Sequence, residues 1–138
     1  MLTALTETSW LGVIVVTIVN FIFGGIYFGV IIAKMYAFAM GREKEERQKP
    51  SVLMIAGPAV CGLLITMTSG AFIKMLNIQT LSDALIFGST VGIGYFVPMT
   101  MTIAINPNFP RPFLYTAINA PYFLASSLLT SSILVLMN

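Results

Sequence analysis

The groups that could do chemistry in this sequence are neutral polar side chains, because its long apolar stretches carry no acidic or basic residue at mid-length. Asn20 and Asn119 each lie inside such a stretch, and Thr66 lies in the second half of another. In hydrocarbon, a buried amide or hydroxyl needs a hydrogen-bonding partner. These residues therefore either join helices, at about 0.5–2 kcal/mol each, or line a polar pocket or pore.

Most kinds of catalytic centre lack their usual residues. The sequence has no histidine and a single cysteine, Cys61, so the common zinc, copper and haem ligand sets are missing, as is any intrachain disulfide. No general base accompanies a serine within the apolar stretches, and no buried carboxylate is present for proton coupling. We therefore expect no catalytic residue, no metal site, no cofactor and no enzymatic activity.

The elements that position these groups follow from the distribution of charge. Only 9% of the 138 residues are charged, against about 25% in an ordinary soluble domain. A bilayer crossing needs about 20 apolar residues, and four uncharged stretches of 23–27 residues satisfy that need. We predict one all-α integral membrane domain over residues 1–138, an antiparallel bundle of four transmembrane helices with short loops. The expected helices are about 9–40, 52–73, 82–105 and 113–136.

Two features of the connections affect the helix ends. Residues 41–50 form a charged loop in which Glu43 and Glu45 precede Arg47 and Lys49 by four residues, the favourable order for helical ion pairs. The first helix therefore either continues for a turn or two toward Pro50 or gives way to a solvated loop, and both alternatives stay open.

The start of the third helix has the pattern of a capping box. Thr80 stands three residues before Asp83, so Thr80 can accept a hydrogen bond from the third helical N–H while Asp83 reaches back to the cap.

Two pairs of glycines have the four-residue spacing that lets helices approach closely. Gly25 and Gly29 lie on the first helix, and Gly88 and Gly92 lie on the third. We interpret both pairs as helix-packing positions. The spacing leaves open whether the partner helix belongs to the same chain or to another.

The orientation follows from the lysines and arginines, which are enriched in cytoplasmic loops. With four crossings, one side carries Lys74 alone and the other side carries six cations. Those six expected cytoplasmic anchors are Lys34, Arg42, Lys44, Arg47, Lys49 and Arg111. We predict a multi-pass protein of the inner (plasma) membrane with a cytoplasmic charged loop and both termini outside.

The run Phe23-Gly24-Gly25-Ile26-Tyr27-Phe28-Gly29, followed by Lys34, Tyr36, Met40 and Gly41, resembles the first-helix signature of one family. Later segments are similar too: Asp83-Ala84-Leu85 with Gly88, and Arg111-Pro112 followed by Asn119-Ala120-Pro121-Tyr122. The family is domain of unknown function 1761, uncharacterised bacterial membrane proteins with four helices. The resemblance implies this fold and topology and supplies no activity.

The expected function is that of a non-enzymatic membrane protein that acts through helix packing, as a homo-oligomer or as an accessory subunit of a larger membrane complex. The alternative is a small-solute channel or carrier with a neutral polar path. The expected partners are the lipid bilayer and either a second copy or another membrane protein. Nucleic acid is not expected, because the net charge of +2 provides no basic face.

Overall fold

The computed structural model describes residues 2–45 and 49–137, which form helices joined by short turns and connecting segments. It confirms the expectation of four long apolar helices. The segments Trp10–Ile31, Val52–Met75, Leu81–Ala104 and Pro112–Leu136 are each long and apolar enough to cross a membrane. Their ends lie close to those expected, with the main differences in the first helix.

The helices are numbered here in chain order, and two of the four long segments contain a π-helical turn. Their bounds are α1 Leu2–Glu7, α2 Trp10–Ile26, the π turn Tyr27–Ile31, α3 Ala33–Ala39, α4 Val52–Met75, α5 Leu81–Val91, the π turn Gly92–Phe96, α6 Val97–Ala104 and α7 Pro112–Leu136.

The short helix α1 is an element that the sequence pattern did not predict. It packs against α4, where a methyl group added at Gly70 would lie 2.5 Å from the methyl carbon of Thr8. Glycine at this position therefore lets the chain before α2 fold back onto the end of α4.

The first predicted helix, 9–40, is not continuous. The π turn is closed by a hydrogen bond from Ile32 N to the carbonyl oxygen of Tyr27, at 2.9 Å. Ile32 itself departs from helical geometry, with φ −107° and ψ 8°. The segment Ala33–Ala39 therefore forms a separate short helix.

Of the two alternatives left open for residues 41–50, the structure shows a loop in the part of this segment that it describes. Helix α3 ends at Ala39, and the chain turns at Gly41, whose φ of +69° lies in the left-handed region that favours glycine. Beyond the turn, Glu45 lies 3.9 Å from Arg42 instead of pairing along a helix with Lys49. Arg47 lies outside the described residues, so its expected pairing with Glu43 does too.

Helix α7 is the element against which the others pack, since it contacts α2, α3, α4, α5 and α6. A buried apolar cluster at one end joins Val13, Val16, Ile73 and Leu134. The first half of α4 behaves differently: residues 52–65 include no buried residue, and burial begins at Thr66. Packing is therefore dense around α7 and sparse along the start of α4.

Candidate functional site

The side of α7 that faces α2 carries a line of polar and aromatic residues. Tyr115, Asn119, Tyr122, Ser126 and Thr130 follow one another at intervals of four, three, four and four residues, a spacing that places them on one face of a helix. We call this line the α7 seam. Its position between two membrane-length helices makes it the candidate site.

Asn20 of α2 completes the hydrogen bonding at one end of the seam. Its amide nitrogen donates to Thr130 Oγ1 and its amide oxygen accepts from Ser126 Oγ, each at 2.8 Å. Thr130 Oγ1 in turn donates to the carbonyl oxygen of Ser126, at 2.8 Å. The three residues form a closed cycle in which both hydroxyl protons are used. Asn20 is only 9% exposed, so the cycle forms a buried cross-link between helices.

Tyr122 occupies the middle of the seam and is surrounded by aromatic rings of α2 and its π turn. Its ring centroid lies 5.2 Å from that of Phe23 in a stacked arrangement and 4.8 Å from that of Phe28 in an edge-to-face one. The Tyr122 hydroxyl lies over Gly24, where an added methyl group would come within 2.9 Å of it. Gly24 thus makes room for Tyr122 of α7.

The π turn explains how two consecutive aromatic residues reach α7. Tyr27 donates from its hydroxyl to the carbonyl oxygen of Ile118 at 2.8 Å, while Phe28 contacts Tyr122. In a regular helix neighbouring side chains diverge by about 100°, and the wider π turn changes that register. Aromatic packing then continues through Tyr36 to Tyr115, with 5.6 Å between their centroids.

Tyr36 lies on α3, beyond the membrane-length segment Trp10–Ile31. Burial raises the pKa of the Tyr36 hydroxyl, and its hydrogen bond with Tyr115 raises that pKa further. Both effects favour the neutral phenol of Tyr36 over its phenolate.

The opposite side of α7 packs on Gly88 and Gly92. A methyl group added at Gly88 would lie 2.5 Å from Ser131 Oγ and 2.8 Å from the carbonyl oxygen of Ser127. One added at Gly92 would lie 2.5 Å from Ser127 Oγ. Ser127 also donates to the carbonyl oxygen of Gly88 at 2.7 Å. The backbones of α5 and α7 therefore approach as closely as the glycines allow.

The other predicted packing pair, Gly25 and Gly29, has no partner helix within this chain, and its packing on another chain stays a prediction. A methyl group added at Gly25 or Gly29 would meet no atom within 4 Å, so neither glycine makes room for a helix of this chain. The reason is register: Asn20 and Gly24 set the contact face of α2, and Gly25 is turned about 100° away from Gly24.

The remaining polar candidates bond within their own helices. Asn119 Nδ2 donates to the carbonyl oxygen of Tyr115 at 2.6 Å, and Thr66 Oγ1 donates to that of Gly62 at 2.8 Å. Both are buried, but neither forms a hydrogen bond to another helix. Within the described part of the chain, no buried side-chain nitrogen or oxygen lacks a hydrogen-bonding partner.

The structure places Thr80 at the start of α5. Its hydroxyl oxygen accepts from Asp83 N at 3.1 Å and donates to the Asp83 carboxylate at 2.7 Å. The carboxylate therefore returns to the cap through the hydroxyl of Thr80, a variation on the predicted pattern.

Among the predicted cytoplasmic anchors that the structure describes, Arg111 joins two connections. Arg111 donates to the carbonyl oxygen of Phe38 and places its guanidinium 3.6 Å from the centre of the Phe38 ring. It also lies 3.7 Å from Glu43, so it ties the start of α7 to α3 and the charged loop. The other described anchors, Lys34, Arg42, Lys44 and Lys49, are exposed, and Arg47 lies outside the described residues.

Sequence reasoning identified Asn20 but missed its partners Ser126 and Thr130, as well as the role of Gly24 beneath Tyr122. The four-three-four-four spacing along α7 was the available signal for the partners. For Gly24 the sequence held no comparable signal. Gly24, Gly25 and Gly29 lie close together, and the sequence does not show which of them lies on the face that contacts another helix.

The arrangement can cross-link helices through neutral hydrogen bonds and stacked rings. In the residues that the structure describes, no group of histidine, cysteine, aspartate or glutamate could hold a metal ion. The clefts found near the other end of the molecule, of about 320 Å³ and 340 Å³, are both lined by Asn77 and Ile78 and lie away from the seam.

Comparisons with known proteins agree with the resemblance described above. Searches of curated proteins and of solved structures each found no match. The family model described as Protein of unknown function (DUF1761) matches residues 11–135, a range that contains both contact faces of α7. The chain therefore belongs to the DUF1761 family.

Proposed function

We propose that this chain is a non-enzymatic, multi-pass protein of the inner membrane that acts through helix packing, either with further copies of itself or as an accessory subunit of a larger membrane complex. Four helices of membrane length support the insertion. In this proposal the charged loop is cytoplasmic and both termini lie outside.

The observation that carries the proposal is the closed cycle formed by Asn20, Ser126 and Thr130. A pathway for solutes needs polar groups that can exchange their hydrogen bonds with a passing ligand. Here the Asn20 amide is occupied by two hydroxyls at 2.8 Å and is buried. Such a group stabilises a helix pair, and it favours packing over transport.

Surfaces outside this core leave room for a protein partner. The α2 residues Leu11, Ile14 and Ile18 are more than half exposed, and Val52 and Leu53 at the start of α4 are about four-fifths exposed. In a bilayer such apolar faces meet lipid or another helix, and helix association there depends on close packing and not on the hydrophobic effect.

The second candidate, a small-solute channel or carrier, is favoured by the length of the α7 seam. Its polar members reach from Tyr115 to Thr130 along one face, which is most of a membrane crossing. Four helices enclose little space, so this function would need several copies around a shared path.

The test uses purified full-length protein, in detergent and in liposomes. A mass measurement shows whether it forms a symmetric oligomer, and a pull-down from native membranes with identification by mass shows whether it carries foreign subunits. The variants Asn20→Leu and Asn119→Leu should fold with at most moderate destabilisation. If the wild-type protein moves a solute across liposomes and these variants abolish the flux, the packing proposal is wrong.

The matched control for these variants is Thr68→Val. Thr68 is exposed and its hydroxyl donates only to the carbonyl oxygen of Leu64 in its own helix. A general effect of removing a polar group would appear in this variant, whereas an effect on the seam would not. Orientation is tested separately, by labelling tags at both ends from outside the cell.

A further inference from the structure

At the end of the molecule that carries the charged loop, two arginines form ion pairs and Lys34 does not, among the described residues. Glu43 lies 3.7 Å from Arg111 and Glu45 lies 3.9 Å from Arg42. Among the described residues, Lys34 forms no ion pair, and it is exposed. The arginines thus pair with the described acids of this loop, while Lys34 is left without an acidic partner among the described residues.

Lys34 and Arg111 are both placed near one exposed ring, that of Phe38. Lys34 and Phe38 are four residues apart on α3, so they share a face with about 5–6 Å between their Cβ atoms. Arg111 lies over the Phe38 ring and donates to the Phe38 carbonyl oxygen. One guanidinium and one flexible ammonium group are therefore close enough to approach a single phosphate group.

The position of this cation pair along the helix suits a lipid headgroup. Helix α3 begins where the membrane-length segment Trp10–Ile31 ends. The last residues of that segment, Val30 and Ile31, are 75% and 63% exposed, and Met35 on α3 is about half exposed. Cations at the edge with exposed apolar side chains one turn deeper match the order of a phospholipid, with its phosphate outward and its acyl chains inward.

We infer that Lys34 and Arg111 bind the headgroup phosphate of an anionic phospholipid, with its acyl chains along Val30 and Ile31. A lipid whose headgroup has no ammonium group fits best. Glu43 is already paired with Arg111, so it offers little attraction to an ammonium group of the lipid. This inference goes beyond the proposed packing function and depends only on membrane insertion.

The test is lipid binding by the purified full-length protein in detergent, followed by native mass spectrometry and by thermal unfolding. Phosphatidylglycerol and phosphatidylcholine with identical acyl chains are added in separate titrations. The wild-type protein should bind phosphatidylglycerol more tightly, and Lys34→Gln should weaken that binding about fivefold, as expected for loss of one cation near an anionic surface. Lys34→Arg should retain it.

The matched control is Lys74→Gln, which removes the lone cation in the last turn of α4 at the other end of the molecule. This variant should keep the preference for phosphatidylglycerol. Arg111→Gln should also lose it, but Lys34→Gln decides the matter because Arg111 additionally ties α7 to α3.

Four results would overturn the inference. The first is equal affinity of the wild-type protein for the two lipids, and the second is an unchanged preference for phosphatidylglycerol in Lys34→Gln. The third is a loss of that preference in Lys74→Gln as large as the loss in Lys34→Gln. The fourth is displacement of bound phosphatidylglycerol by inorganic phosphate. The last result would identify a free-anion site in place of a lipid site. None of these outcomes depends on the oligomeric state, so failure here is distinguishable from failure of the proposed function.

Discussion

The two glycine pairs of this chain have the same spacing and opposite surroundings. A methyl group on Gly88 or Gly92 would come within 2.5 Å of a serine oxygen of α7. On Gly25 or Gly29 it would meet nothing within 4 Å. The comparison teaches that a small-residue spacing permits a close approach without selecting the helix that makes it.

The difference between the two pairs lies in which side chains of α7 lie opposite each glycine face. Opposite Gly88 and Gly92, α7 presents the small side chains of Ser127 and Ser131, and Ser127 donates to the Gly88 carbonyl oxygen. On α2, the cross-link through Asn20 fixes the rotation of the helix and brings Gly24 to Tyr122. Gly25 is then directed away from the rest of the chain.

The largest effect that would test this comparison is expected for Gly88→Ala. Its new methyl group would collide with the backbone of α7, including the carbonyl oxygen of Ser127 at 2.8 Å, and a backbone cannot rotate away as a side chain can. We expect the free energy of unfolding in detergent to fall by about 2 kcal/mol. Equal stability of Gly88→Ala and Gly25→Ala would show that the α5–α7 contact is not the tight one.

Asn20→Leu should have the next largest effect, because it removes the cross-link that sets the rotation of α2. The change deletes two hydrogen bonds between helices, so we expect a loss of about 1 kcal/mol in the same unfolding measurement. Thr68→Val, which alters an exposed hydroxyl bonded within its own helix, should change stability by less than about 0.5 kcal/mol. Similar losses in the two variants would contradict a special role for Asn20.

Thr80→Ala should cost about 1 kcal/mol or slightly less. Thr80 caps the helix that carries Gly88, and its hydroxyl accepts from Asp83 N at 3.1 Å. Hydrogen exchange should increase in the first turn of α5 and remain unchanged in α2. The control is Thr102→Ala, an exposed threonine bonded only to the carbonyl oxygen of Pro98 in its own helix. Increased exchange throughout α7 would mean that the packed face depends on the cap.

The smallest effect on folding is expected for Gly25→Ala, because its methyl group enters open space. Stability should change by less than about 0.5 kcal/mol or rise slightly, since alanine favours helix over glycine. The variant Gly25→Leu sharpens the comparison: if its mass in detergent differs from that of the wild-type protein while its folding does not, a second copy covers this face. A large loss of stability in Gly25→Ala would contradict the described position of α2.

Local properties of the sequence were enough to predict the four long apolar helices. The stretch before Pro112 ends in a proline-rich turn, and α7 begins at Pro112, one residue before the expected start. Composition over 20 or more residues determines such segments, because each helix satisfies its own backbone hydrogen bonds. Irregularities were not predictable in this way: the π turn at Tyr27–Ile31 contains no proline, and it accompanies the contacts of Tyr27 and Phe28 with the distant helix α7.

By itself, then, the amino-acid order determined which parts of the chain are apolar, where the charges gather and which family the chain belongs to. Only the tertiary structure decided which side of each helix faces α7 and that Gly24, and not Gly25, lies against Tyr122. It also decided that the side chain of Asn20 forms hydrogen bonds with Ser126 and Thr130. The physical reason is distance along the chain. Asn20 and Thr130 are separated by 110 residues, and no local pattern records the rotation at which two such distant helices meet.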